Sequence, residues 1–174
     1  PYALETAFLS VITFDSSARQ VVPLTELSMF QMPDIQATGT TALGDALSLL
    51  ANKVSTEVTK STAEVKGDWK PLVFIMTDGE PTDNWQKGLN DFKNQKFGMV
   101  VACAAGSGAN TSILKQITEV VVQLDTADSA TIKAFFKWVS ASVSTGSQKI
   151  EASGKDVSGL NELPPPPPEV NIVV

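Results

Sequence analysis

A three-layer α/β/α sandwich around a mostly parallel central sheet is the fold class that three features of the sequence predict. Two wholly apolar runs, Leu72 to Met76 and Met99 to Ala105, read as strands buried on both faces, as parallel sheets require. Segments of helical period alternate with them, which places helices against the sheet. The first run also ends abruptly in Thr77-Asp78-Gly79, and the crevice outside the carboxyl ends of such strands is where open α/β sheets bind ligands.

Taken in order, Phe8 to Phe14 and Gln20 to Leu24 form a hairpin with Asp15 in its turn. Thr40 and Thr41 then precede Leu43, Ala46, Leu47, Leu50 and Val54, an apolar stripe of helical period that runs to about Val58. After the strand at Leu72 and the turn at Asp78, Pro81 leads to Asp83, a good N-cap for a helix. That helix has Trp85, Gly88, Leu89 and Phe92 at i, i+3, i+4 and i+7. Gly106-Ser107-Gly108 closes the second apolar strand, Thr111 to Ile117 reads as a short helix, and Val120 to Leu124 as the final strand. Ile132, Phe135, Phe136, Val139 and Val143 mark a last helix that packs on the sheet.

From Ser144 to Leu163 the periodicity is lost and the composition is that of a linker. Pro164 to Pro168 must be extended polyproline II. The reading is therefore a folded domain over 1–145 and a flexible tail over 146–174. The prolines either hold the end of the chain away from the domain or dock on a partner's aromatic groove, and Ile172-Val173-Val174 has the character of a strand that adds to a sheet edge.

The 174 residues are 43% hydrophobic and carry a net charge of -6, which suits one globular domain and provides no basic face for nucleic acid or for a membrane surface. No run approaches the roughly 18 apolar residues of a membrane span. The single cysteine, Cys103, lies inside an apolar strand and reads as a core thiol, which fits a cytoplasmic protein without disulfides. The chain has no histidine and no Gly-x-x-x-x-Gly-Lys-Ser/Thr loop, so neither the usual neutral-pH general base nor a phosphate cradle is present, and no enzymatic activity is expected.

Thr41 and Asp78 are the candidate metal ligands, since hard cations take oxygen donors. Each also has a plain structural alternative. Asp78-Gly79 is a common turn pair, and Thr41 precedes a helix that it could cap.

The stretch Thr41-Ala42-Leu43-Gly44-Asp45-Ala46-Leu47 followed by Thr77-Asp78-Gly79 resembles the von Willebrand factor A (integrin I-like) domain. That resemblance implies a Rossmann-like fold and a metal-ion-dependent adhesion site holding Mg²⁺, or another divalent cation such as Ca²⁺ or Mn²⁺, with Thr41 and Asp78 as ligands. A protein partner would offer an acidic side chain to the metal, with Thr40, Gly79 and Glu80 around the contact. Val11-Ile12-Thr13-Phe14-Asp15, Glu80-Pro81-Thr82-Asp83 and Asn161-Glu162-Leu163-Pro164 look most like the bacterial tellurium-resistance branch of the family, which implies a scaffold in a stress response with kinase or phosphatase components as partners.

The family's Asp-x-Ser-x-Ser loop has no match here: Asp15-Ser16-Ser17-Ala18-Arg19 lacks the last serine and leads into a strand. The family's first strand and helix, roughly 30 residues or more, are thus expected to be absent. In the family's strand order that first strand is central, so its place would be filled by an upstream segment or complemented by another chain. With too few ligands the ion would bind weakly, and the alternative is a degenerate scaffold that holds no metal.

Overall fold

The computed structural model describes residues 7–36 and 38–173 and divides them into two compact units. The first comprises residues up to Lys70 together with Pro81–Lys96, and the second comprises Pro71–Glu80 with Phe97 onward.

In the first unit, β1 (Phe8–Phe14) and β2 (Ala18–Glu26) form an antiparallel hairpin whose register shifts near Val11. Asp15 makes the turn as expected, its carboxylate accepting from the Ser17 N–H at 3.2 Å and from Arg19 at 3.3 Å. Helix α1 (Leu43–Glu57) turns Leu43, Ala46, Leu47 and Val54 inward as the stripe in the sequence predicts, with Ala51 buried where Leu50 was expected; Leu50 is half-buried. Its last residue ties it to the hairpin: Glu57 accepts from the Gln20 amide at 2.9 Å and from the Leu24 N–H at 3.1 Å.

Helix α2 (Trp85–Lys93) comes closest to α1 at a pair of glycines, and the Ser48 hydroxyl of α1 donates to the Asp91 carboxylate of α2 at 2.7 Å. A Cβ added at Gly88 would lie 2.1 Å from the Gly44 carbonyl oxygen, so both positions must lack one for the helices to approach this closely.

One helix cap differs from expectation. Asp83 does not cap α2, whose N-cap is Asn84 without a side-chain bond. Its carboxylate instead accepts from the Gly44 N–H at 3.0 Å and the Asp45 N–H at 2.8 Å, capping α1 from 38 residues away. The reason is local: Ala42 is the N-cap residue of α1 and has no acceptor of its own.

In the second unit a sheet of order β3-β4-β5-β6 contains β3 (Leu72–Thr77), β4 (Met99–Ala105), β5 (Val121–Leu124) and β6 (Val170–Ile172). The first three are parallel and β6 is antiparallel to β5. The α/β class and the mostly parallel sheet thus stand as expected. Helix α3 (Thr111–Ile117) buries Leu114 and Ile117. Helix α4 (Ser129–Ser153) buries Phe135 and Trp138 in a core with Val101, Cys103, Val122 and Leu124. Asp128 caps α4 by accepting from the N–H groups of Ala130 and Thr131, and Gly154, at φ 65°, ends it in the left-handed conformation.

The flexible tail expected over 146–174 is not what these residues form. Helix α4 runs on to Ser153, and Gly146 is buried within it beside Leu72 and Val157. Val157, Leu163 and Val170 then join the core. The Trp138 indole N–H donates to the Pro164 carbonyl at 2.8 Å, so the prolines do not hold the end of the chain off the domain, and β5 is not the last strand. Among the described residues β3 pairs only with β4, and β1 only with β2, leaving one edge of each without a partner.

Candidate functional site

Thr40 and Thr41 belong to the first unit; Asp78, Gly79 and Glu80 belong to the second. Each group is held by residues of its own unit.

Thr41 is fixed through its backbone. Its N–H donates to the Thr82 hydroxyl at 3.2 Å, and the Thr82 N–H donates back to the Thr41 carbonyl at 2.9 Å. The Ala42 N–H donates to the Asp15 carbonyl at 2.7 Å, so the hairpin turn carries the same loop. Thr40 is exposed, with its N–H and its hydroxyl each 3.4 Å from the Ser16 hydroxyl oxygen. The alternative reading of Thr41 as a helix cap loses its basis, since the cap residue is Ala42 and the capping side chain is Asp83. The half-buried Thr41 hydroxyl makes no hydrogen bond among the described residues and is free to act as a donor to an ion.

Asp78 follows directly on the buried Thr77, the last residue of β3. Its carboxylate is exposed and has no partner among the described residues. The Gly79 N–H donates to the Thr77 hydroxyl at 3.4 Å, which tightens the turn. Gly108, in the loop after β4, passes so close that a Cβ there would lie 2.7 Å from the Asp78 carbonyl oxygen. Glu80 accepts from the Asn110 side-chain amide at 3.0 Å, while the Asn110 oxygen accepts from the N–H groups of Ser112 and Ile113 and so caps α3. Three bonds therefore fix Asn110, and Asn110 fixes Glu80.

Thr82 and Asn110 are the positioning residues that sequence reasoning missed. An asparagine just before a short amphipathic helix is a readable capping signal, and it was available at Asn110. Thr82 left no such signal, because its two bonds reach 41 residues back along the chain.

The donors suit a hard cation in kind, being oxygens on short side chains. In number they fall short: the second unit offers the one Asp78 carboxylate and the first the one Thr41 hydroxyl, where a hard cation takes about six oxygen ligands. Among the described residues no group of three or more histidine, cysteine, aspartate or glutamate side chains is placed to hold a metal. Cys103 offers no alternative, since it is wholly buried and burial pushes its thiol up to about 12. No described helix is long and apolar enough to cross a membrane.

Parallel strands joined through helices, with an exposed acidic loop at a strand's carboxyl end, define the class of open α/β binding domains. A sequence profile of the von Willebrand factor type A domain matches residues 5–138, and the chain belongs to that family, whose members often mediate protein–protein interactions. Among solved structures, the crystal structure of the ArnB paralog VWA2 from Sulfolobus acidocaldarius is similar, with 16% identity, a TM-score of 0.48, and coverage of 72% of this chain and 34% of that one. This chain thus spans about a third of that protein. No curated protein matches the sequence.

Proposed function

We propose that the chain is a non-catalytic protein-binding module that works through a metal-ion-dependent adhesion site. Thr41 supplies a hydroxyl and Asp78 a carboxylate to a divalent cation, Mg²⁺ first and Ca²⁺ or Mn²⁺ as substitutes. An acidic side chain of the partner takes an open position on the ion, and Thr40, Gly79 and Glu80 line the contact. The observation that carries this reading is the exposed carboxylate of Asp78, without a partner among the described residues and set at the end of a buried strand in a loop braced by Gly108 and by Asn110 through Glu80. A side chain held for local structure would be spent on a turn or a cap.

The resemblance to the bacterial tellurium-resistance protein TerY extends the proposal to a cytoplasmic scaffold in a tellurite-resistance or stress response, with kinase or phosphatase components as partners. The unpaired edge of β3 supports one further element of it. An apolar edge without charge or proline calls for a covering strand, from this polypeptide or from another.

Titration with Mn²⁺, followed by paramagnetic line broadening, tests the reading without a partner in hand. Two protein donors predict a dissociation constant of about a millimolar or weaker, with broadening centred on Asp78 and Thr41. Asp78→Asn should abolish the local effect while the fold persists. Broadening that is unchanged in both Asp78→Asn and Thr41→Ala would overturn it. The short donor set favours one alternative, a degenerate scaffold that binds its partner without any ion. Partner binding indifferent to a chelator would establish that alternative.

A further inference from the structure

We infer that the proline segment is a pre-organised ligand, a polyproline ridge that this domain displays to an aromatic-lined groove on a partner. The inference is independent of the cation site. The ridge is held at both ends, by Leu163 and Val170, which are 7% and 4% exposed in the core. Between them the Trp138 indole N–H grips the Pro164 carbonyl, and the Val170 N–H donates to the Pro167 carbonyl at 2.9 Å, closing a turn with Pro168 and Glu169 at its corner. Five successive prolines have no N–H groups to pair with a sheet, so the grip comes from acceptors and packing alone.

What the anchors leave outward is specific. Pro164 and Pro167, three residues apart, are half-buried against the domain, whereas Pro165 and Pro168, also three apart, are exposed. Three residues make one turn of polyproline II, so the two outward prolines stand in the spacing that aromatic grooves read. Glu169 is exposed beside them and enters no ion pair among the described residues. Its charge, on a chain of net charge -6, selects a groove flanked by lysine or arginine. Because the ridge is already ordered, the partner does not have to order it on binding, which is the advantage of this segment over a free peptide of the same sequence.

The test uses the full chain titrated into purified, ¹⁵N-labelled SH3 and WW domains whose aromatic grooves carry a basic flank. At least one should show saturable shifts confined to its aromatic groove. The paired change Pro165→Ala/Pro168→Ala should weaken binding about tenfold, and Glu169→Lys should weaken it several-fold. A synthetic peptide covering residues 162–170 should bind several-fold more weakly than the intact chain. If the proline variant loses the β5–β6 pairing, Glu169→Lys decides alone, since its side chain is exposed and enters no ion pair among the described residues. No shift in either domain, shifts indifferent to the variants, or a peptide that binds better than the chain would each overturn the inference.

Discussion

Asp83 offers the sharpest test of how this fold is held together, because one carboxylate satisfies two backbone donors of a helix that lacks its own cap. Asp83→Ala removes both acceptors from the Gly44 and Asp45 N–H groups at once. Loss of an N-cap acceptor costs typically about 1 kcal/mol. Loss of a negative charge from the positive end of a helix adds roughly 0.3–1 kcal/mol. Together they come to about 2 kcal/mol, or a fall of roughly 4–8 °C in melting temperature for a chain of this length. Asp83→Asn keeps one acceptor and should lose about half as much. The assay is thermal unfolding followed by circular dichroism, with hydrogen exchange to localise the change to the first turn of α1. Asn84→Ala is the control, since Asn84 makes no capping bond and its loss should be nearly silent. An Asp83→Ala protein within about 0.5 kcal/mol of wild type, or an Asn84→Ala protein equally damaged, would refute the assignment.

Three further outcomes follow from other sites. Gly88→Ala drives a methyl group into the Gly44 backbone and should cost about 3 kcal/mol or more, visible as a lowered urea midpoint or as insoluble expression. Ser142 is fully buried in α4 and its hydroxyl has no hydrogen-bond partner among the described residues, so Ser142→Ala should raise stability by about 1 kcal/mol in the same urea experiment, and a clear loss would show that the hydroxyl has a partner after all. Burial raises the affinity of the Glu57 carboxyl for its proton, but bonds from the Gln20 amide, the Leu24 N–H and Lys53 outweigh it and hold the group below its ordinary 4.5. Its contribution is therefore complete above that value and is lost as pH falls through the lower folded-state value. Melting temperatures across that acid range should drop more steeply for the wild type than for Glu57→Gln.

The parts of this fold that were legible in the sequence are those specified by neighbours along the chain. The stripe from Leu43 to Val54, the helix from Thr111 to Ile117 and the apolar strands at Leu72 and Met99 lie where their patterns put them. The second half of α4 was not legible, because its buried positions there are Ser142 and Gly146, small residues that carry no apolar signal. Strand β6 was legible only in part: the apolar end at Ile172-Val173-Val174 read as a strand that adds to a sheet edge, Val174 lies outside the described residues, and the strand itself is Val170–Ile172, whose partner β5 lies far back along the chain. At the candidate site Thr41 and Asp78 were visible as types in a pattern, while the bonds that hold their loops join residues 30 to 41 positions apart. The misassigned cap shows the same limit: Asp83 has the right chemistry to cap a helix, and nothing in the local sequence says which one.

The depth of Cys103 has a practical side. A lone thiol with no exposed surface, whose proton burial holds to about 12, presents almost no thiolate to an alkylating reagent at neutral pH. It becomes reactive only when β4 separates from its neighbours, and no second cysteine competes for the label. The rate at which an iodoacetamide or maleimide adds to the native protein is therefore a clock for opening of the sheet, one already built into the unmodified chain.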